Sequence, residues 1–436
     1  MLAGTAAVVA LASGASAAVA RAQGMIEERE TSAPIASSLA YLGELVNVAA
    51  GGARRGSAYS GVAAAQLTLR LHELVGWRGA RALVLLLGTH GGSPSALVGD
   101  LQGVSDLEAP SGINVGEAWI QQSMFGGRVS LLAGRFDLST EFDFTRTGTL
   151  FLNNSLGIGP EFALSGERGP SVYPFTFAGA RLAVRATRHV VARVALLADG
   201  LRVGEIALVA REDSAATRVV SQLDAGRGVP QAYSTKLAVG GWYYDLRLPD
   251  LVDLRPDGTP VQLRGSHGFY LIADRTLWRA PHGAPGALSG FLQLGIGDPR
   301  VVPIGRYVGG GVAMLAPLAS RAQDEVGLAV ATALTGSHFA RAQAERRRDA
   351  TNEVALEMTY FAQVTSWLAV QPDVQLVLNA GGTRESPDAL VLGLVVTLTR
   401  EIALVRGTEK RLTRRAAAPP PPGRSRTGAS SRPARR

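Results

Sequence analysis

Apolar and polar residues alternate with a period of two along most of this chain, which predicts β-strands. Within residues 351–365, Val354 and Leu356 alternate with Glu353 and Glu357. Successive side chains of a strand point to opposite faces, so this segment would have one apolar and one polar face. On a helix the two acids would instead share a face with apolar neighbours.

The same division recurs between short segments of Gly, Pro, Asp and Asn, which are typical turn residues. No long amphipathic helix interrupts the pattern. The alternation predicts about sixteen strands, at residues 40–49, 67–72, 80–89, 116–125, 128–137, 180–188, 191–199, 204–211, 235–246, 267–278, 287–297, 306–316, 324–334, 351–365, 366–379 and 389–399.

The length of the alternating region distinguishes two all-β architectures. A soluble sandwich also alternates, but one all-β domain has about 100 to 250 residues. Here the alternation continues from residue 40 to residue 399 without a linker. In a transmembrane barrel the apolar face meets lipid, the polar face meets water, and closure leaves no unpaired backbone in hydrocarbon. The pattern therefore predicts an all-β fold, a transmembrane antiparallel up-and-down β-barrel.

Aromatic residues near the ends of the predicted strands fit the interfacial girdles of such barrels, although ordinary core aromatics are an alternative interpretation. They are Tyr41, Trp77, Trp119, Trp242, Tyr243, Tyr244, Trp278, Tyr307, Tyr360 and Trp367.

Composition removes several classes of function. The chain has no Cys, which excludes disulfide scaffolds, thiolate metal sites and cysteine nucleophiles. Its six His are scattered, with no pair at the i, i+4 spacing that places two imidazoles on one helical face. We therefore expect no metal site and no cofactor.

The formal charge of +8 lies in one terminal segment. Residues 400–436 hold ten Arg and one Lys against two acids, so the rest of the chain is nearly neutral. This segment is rich in Pro, Arg and Ser and has no aromatic residues for base stacking, which predicts a disordered tail rather than a nucleic-acid-binding arm.

The chain is expected to have four parts. Residues 1–22 form an uncharged Ala-rich run that ends in a small-x-small sequence, which predicts a signal peptide. Residues 23–39 are expected to be a periplasmic lead-in, residues 40–399 the barrel, and residues 400–436 the basic tail.

A series of short motifs follows in order through the predicted barrel. They include Gly43-Glu44-Leu45-Val46-Asn47, Gly76-Trp77-Arg78-Gly79, Thr89-His90-Gly91-Gly92, Val98-Gly99-Asp100-Leu101-Gln102-Gly103, Ala133-Gly134-Arg135-Phe136-Asp137, Leu150-Phe151-Leu152-Asn153-Asn154-Ser155 and Trp367-Leu368-Ala369-Val370-Gln371-Pro372-Asp373. With these motifs, residues 40–399 resemble the carbohydrate-selective porins of the OprB type from the outer membrane of Gram-negative bacteria.

The resemblance implies a sixteen-stranded barrel in the bacterial outer membrane through which glucose-like mono- and oligosaccharides diffuse passively into the periplasm. It also implies contact with outer-membrane lipid and with the outer-membrane assembly machinery, while monomer and trimer both stay open. The segment from Asp137 to Tyr173 is too long for a tight turn. As in the porins it resembles, we expect it to fold into the barrel as a constriction, with a surface loop as the alternative.

A pore for neutral, hydroxyl-rich sugars needs many hydrogen-bond donors and acceptors together with aromatic faces. The candidate pore-lining residues carry such groups; they are Glu117, Trp119, Arg135, Asp137, Glu141, Arg181, Arg185, Arg193, Asp199, Glu353, Glu357, Gln371, Asp373 and Gln375.

Other functions of a barrel stay open at this point. A general porin or a non-conducting adhesin or structural barrel would show the same alternation. An outer-membrane hydrolase is disfavoured because the chain has no G-x-S-x-G motif, and we expect no catalytic residues.

Overall fold

The computed structural model describes residues 34–210, 235–281, 286–318 and 320–403. The predicted signal peptide and nearly all of the predicted tail lie outside the described residues. The strands are β1 Ile35–Ala50, β2 Gly56–Arg70, β3 Ala80–Gly91, β4 Gly112–Met124, β5 Val129–Phe136, β6 Phe177–Arg185, β7 Val190–Leu197, β8 Leu201–Ala210, β9 Thr235–Leu254, β10 Pro260–Arg279, β11 Ala287–Ile296, β12 Ile304–Leu315, β13 Glu325–Thr335, β14 Glu353–Thr365, β15 Leu368–Leu378 and β16 Ala389–Ala403.

The strands form one closed barrel in sequence order. Each pairs antiparallel with its neighbours in the chain, and β1 pairs with β16 from Ala36 opposite Ala403 to Ala50 opposite Leu390. The predicted up-and-down barrel of about sixteen strands is confirmed. Several strand boundaries differ from the expected ones: β2 begins at Gly56 rather than at residue 67, and β9 and β10 extend to Leu254 and from Pro260. In addition, β1 begins inside the segment assigned to the lead-in, and β16 continues four residues into the segment assigned to the tail.

On strands such as β14 the two faces have the predicted character. On β14, Leu356 and Met358 point outward and are 41% and 54% exposed, while Glu353 and Glu357 point inward and are buried. Outward Leu and Val residues therefore present an apolar surface to lipid, and the polar row faces the interior.

The helices of the described residues are short: α1 Leu71–Val75, α2 Pro94–Val98, α3 Pro160–Ala163 and α4 Ser337–Glu345, with 3-10 turns at Leu138–Thr140, Thr147–Leu150, Asn154–Leu156 and Ala380–Gly382. None of these helices has the length and apolarity needed to cross a bilayer.

The two ends of the barrel differ in their connections. We call the end at which β1 and the other odd-numbered strands finish the loop end, and the opposite end the turn end. The loop end carries the long connections 92–111, 137–176 and 336–352, whereas most connections at the turn end are short, such as 125–128 and 366–367. The long exception at the turn end, 211–234, lies outside the described residues.

Two of the long connections fold into the barrel. In segment 137–176, Phe142 and Phe162 are buried in a cluster with the inward-facing Leu85. Segment 92–111 lies beside it, with Leu107 in the same cluster. The sequence predicted the inward fold of the first segment but not that of the second. We call them the main inner loop (137–176) and the second inner loop (92–111).

The aromatic residues divide into two groups. Trp77, Trp278 and Trp367 are about half exposed at the turn end, as interfacial residues should be. The girdle interpretation fails for the inward-facing members, which are buried against the inner loops: Trp119, Trp242, Tyr244 and Tyr307.

Candidate functional site

A chain of paired charges lines the inner wall where the main inner loop begins. Arg181 of β6 donates to Glu141 of the loop at 2.6 Å, and Arg193 of β7 lies 3.3 Å from the other oxygen of the same carboxylate. Arg193 also reaches Glu205 of β8 at 3.1 Å, and Lys236 of β9 lies 3.4 Å from Glu205. We call these five residues the wall network.

The wall network fixes the beginning of the main inner loop. Glu205 accepts a hydrogen bond from the Asp143 backbone N–H at 3.3 Å and from the Tyr270 hydroxyl at 3.0 Å, while Lys236 donates to the Phe144 carbonyl at 2.9 Å. The side chains of Glu205 and Lys236 are completely buried. Buried charges are tolerated when paired and hydrogen-bonded, so these contacts hold both the charges and the loop in place.

Across the barrel, Glu353 holds the second inner loop. Its carboxylate accepts hydrogen bonds from the backbone N–H groups of Leu101 at 2.8 Å, Gln102 at 3.0 Å and Gly381 at 2.6 Å. Charge-assisted hydrogen bonds to a carboxylate are stronger than those between neutral groups. One wall residue therefore fixes two separate backbone segments.

Glu357, two residues further along β14, holds the middle of the main inner loop. It accepts from the backbone N–H groups of Leu152 at 2.6 Å and Asn153 at 3.0 Å. Gln371 of β15 donates to the Leu150 carbonyl at 2.8 Å. The main inner loop is thus fixed to opposite sides of the barrel, and its backbone crosses the interior.

The two inner loops are also joined to each other. The Asn154 N–H donates to the Gly103 carbonyl at 2.9 Å, and the Ser155 hydroxyl donates to the Gln102 side-chain oxygen at 3.1 Å. Together the loops narrow the interior at a defined level, which is the position of a constriction.

Another polar group faces the interior from β3 and β4. The Trp119 indole N–H donates to Glu117 at 2.7 Å, and the Arg81 guanidinium lies 5.1 Å from the centre of the Trp119 ring. A guanidinium, a carboxylate and an aromatic plane in one place provide the groups that recognise hydroxyls and the apolar faces of sugar rings.

The structure brings most of the predicted site residues to the interior. Those that face inward from the strands or lie on the main inner loop beside the wall are Glu117, Trp119, Glu141, Arg181, Arg193, Glu353, Glu357, Gln371, Asp373 and Gln375. Many of them bind the inner loops. Their role in lining the pore stays a prediction.

Four candidates lie elsewhere. Asp137 caps the first 3-10 turn by accepting from Ser139, Asp199 lies in the β7–β8 turn, and Arg185 is exposed at the turn end of β6. Arg135 shares the outward face of β5 with Leu131 and donates to the Val115 carbonyl.

Arg135 faces outward because Leu132 and Phe136 take the inward positions of β5. Both pack with Phe142 of the main inner loop. At this part of the wall the main inner loop packs through apolar side chains, so the inward positions of β5 are apolar and Arg135 points the other way.

Sequence reasoning missed Glu205, Lys236, Tyr270 and Asp274. Asp274 accepts from both the N–H and the hydroxyl of Thr147 at 2.8 Å. The sequence could have identified these four residues, because each is a polar residue within a strand predicted from apolar alternation. Such a residue has to face the lumen or a buried partner.

Two acids of the main inner loop, Glu161 and Asp143, are completely buried. Glu161 of α3 is buried against β11, so tightly that a Cβ on Gly295 would fall 1.8 Å from its carboxylate. Burial and the neighbouring Asp143 raise the pKa of Glu161 well above its usual range. Burial likewise raises the pKa of Asp143 to about 7 from the ordinary 3.8. Both carboxyls therefore bind a proton more tightly inside the barrel than in the unfolded chain.

These shifts predict a pH-dependent stability of the main inner loop. Since the folded pKa of Asp143 lies above its unfolded value, its contribution is present at acidic pH and is lost as the pH rises through about 7. Between pH 5 and pH 8 we expect the thermal unfolding temperature to fall in the natural protein and to fall less in Asp143→Asn, which keeps an acceptor for the Gly159 N–H. Asp349→Asn, at an exposed position, is the control. Equal slopes of unfolding temperature against pH in all three proteins would show that Asp143 does not cause the pH dependence.

The fold and site together define a class of protein. A closed sixteen-stranded barrel with an apolar exterior, a polar interior and inward-folded loops is an outer-membrane porin. The family profile described as "Carbohydrate-selective porin, OprB family" matches residues 54–399, and the chain belongs to this family.

The chain is also similar to known proteins. The chain is 27% identical to Porin B of Pseudomonas aeruginosa over 178 residues, which is 36% of this chain and 39% of that protein. The high-pH structure of Pseudomonas putida OprB superimposes with a TM-score of 0.73 at 18% identity, covering 84% of this chain and 94% of that one. Its low-pH structure gives a TM-score of 0.51 at 15% identity, covering 84% and 93%. These structures show the shared fold.

Proposed function

We propose that this protein is an outer-membrane channel through which neutral sugars, glucose-like mono- and oligosaccharides, diffuse passively into the periplasm. The supporting observation is the constriction, where two inner loops are fixed across a polar interior by the wall network on one side and by Glu353 and Glu357 on the other. A neutral, hydroxyl-rich solute exchanges hydrogen bonds with water for hydrogen bonds with such an interior, and the group of Arg81, Glu117 and Trp119 provides donors, acceptors and an aromatic face for it.

Family membership supports a channel rather than an enzyme. The wall network holds carboxylates against cations and loop N–H groups, which is the arrangement of structural ion pairs. No G-x-S-x-G motif is present in the chain. A non-conducting structural barrel is the competing function, and conductance distinguishes the two.

The apolar exterior provides the contact surface for outer-membrane lipid. Closure of β1 on β16 is the step at which assembly machinery would act, since it removes the last unpaired strand edges. Both partners follow from the proposed outer-membrane channel.

Single-channel recording tests the proposal. Purified protein added to a planar bilayer is expected to give steady current steps, and a neutral sugar added to the bath is expected to lower the current in a concentration-dependent way because it occupies the constriction. A protein that inserts but gives no current steps would be a structural barrel instead.

A further inference from the structure

The β9–β10 hairpin extends beyond the barrel at the loop end. Pairing between β8 and β9 stops at Tyr244, and pairing between β10 and β11 stops at Phe269. In the described sheet, residues 245–268 therefore pair only within the hairpin. Nevertheless Leu248 and Val252 are 3% and 9% exposed, so another part of the chain covers one face of this projection.

The covering elements come from a distant part of the rim. His338 of α4 lies 3.1 Å from Asp250 of the hairpin, and Arg341 of α4 donates to Asp253 at 2.8 Å. Since α4 connects β13 to β14, this contact joins strands that are four positions apart in a closed barrel of sixteen. We call residues 245–268 together with 336–345 the rim bridge.

The rim bridge contacts the β11–β12 loop, which in turn contacts the main inner loop. The Leu251 N–H donates to the Arg300 carbonyl of the β11–β12 loop at 3.0 Å. In the same loop Gly297 packs against Glu161 of the main inner loop. On this side of the barrel the bridge, the β11–β12 loop and the main inner loop form consecutive layers, so the bridge lies at the mouth and the constriction lies below it.

An ion pair between Arg341 and Asp253 joins the hairpin to α4, and we call this pair the latch. Asp250, Asp253 and His338 place potential ligand atoms within 4.8 Å of one another, but Arg341 already supplies a cation to Asp253. The side chains of Arg341 and Asp253 are 54% and 48% exposed. Water competes for such a pair, so it holds the two elements together without making the contact permanent.

We infer that the rim bridge sets the upper size limit for solutes at the mouth, separately from the constriction that selects among small sugars. The inference rests on the proposed sugar-diffusing function. Opening the bridge should admit larger oligosaccharides, while monosaccharides, which are limited by the inner loops, should pass at an unchanged rate.

Charge reversal at the latch tests the inference in liposomes that contain the full-length protein. Swelling is measured with arabinose, a monosaccharide, and with raffinose, a neutral trisaccharide. In Asp253→Arg and in Arg341→Asp, like charges face each other, and the raffinose-to-arabinose rate ratio should rise about threefold or more because a wider mouth discriminates less by size. The double variant restores opposite charges and should return the ratio to that of the natural protein.

The matched control is Arg264→Asp. It makes the same charge change as Arg341→Asp, but Arg264 and its partner Asp245, 3.5 Å away, both lie in the hairpin, so the contact between hairpin and α4 is untouched and the ratio should stay unchanged. An unchanged ratio in both latch variants, or an equal rise for both sugars, overturns the inference. If arabinose does not pass through the natural protein, the proposed function itself fails and the inference fails with it.

Discussion

Replacing Glu205 by Ala is expected to cost about 3–5 kcal/mol of unfolding free energy, because it removes one partner from a completely buried ion pair. Lys236 and Arg193 lose a common carboxylate, and Asp143 and Tyr270 lose a hydrogen-bond acceptor. The main inner loop should then detach at its beginning. Urea unfolding in lipid vesicles measures the loss, and a larger, noisier single-channel current reports the freed loop.

Two further variants distinguish the loss of the Glu205–Lys236 ion pair from a general effect of removing a carboxylate. Adding Lys236→Met to Glu205→Ala removes the unpaired cation and should recover part of the lost stability, since replacing both charges is less costly than leaving one. Exposed Glu73→Ala should leave stability and current unchanged. If Glu205→Ala behaves like Glu73→Ala, the wall network does not hold the loop.

Replacing Glu353 by Ala should be the next most damaging change. It removes the acceptor for the backbone N–H groups of Leu101, Gln102 and Gly381. An unsatisfied buried donor costs about 1–3 kcal/mol, so the three together predict a loss of about 3 kcal/mol or more. Release of the second inner loop should also widen the current distribution in single-channel records.

Glu353→Gln is the matched control, because the amide keeps the size of the side chain and one acceptor oxygen. We expect it to retain more stability than Glu353→Ala and to keep a single current level. Equal losses in the two variants would show that the negative charge, rather than the hydrogen-bond geometry, holds the loop.

Local sequence pattern predicted the sixteen strands because alternation is a property of neighbouring residues. The pattern is clear on β14, whose outer face meets lipid and whose inner face carries Glu353 and Glu357. It is weaker on β3, where Leu83 and Leu85 face inward against the inner loops while Val84 and Leu86 face outward. Both faces are apolar there, so the period-two signal disappears.

The partners of the site residues could not be predicted in the same way. Glu353 and Leu101 are 252 residues apart, and the contact depends on barrel closure and on the path of the second inner loop. For Arg135, the sequence suggested the wrong face of the strand. Its charge suggested the lumen, but Phe136 takes the inward position because the main inner loop packs there. The sequence therefore identifies polar candidates, and tertiary packing decides which way they point.

The swelling rate of liposomes that contain the purified protein shows whether the channel prefers carbohydrates. We expect rapid swelling with glucose and slower swelling with a zwitterionic amino acid of similar mass, because the zwitterion has to give up the hydration of two charges in the constriction, whereas glucose exchanges hydrogen bonds. The same preference should be lost when Glu205→Ala frees the main inner loop. Equal rates for glucose and the amino acid in the natural protein, or no swelling above that of protein-free liposomes, would contradict a carbohydrate-selective channel.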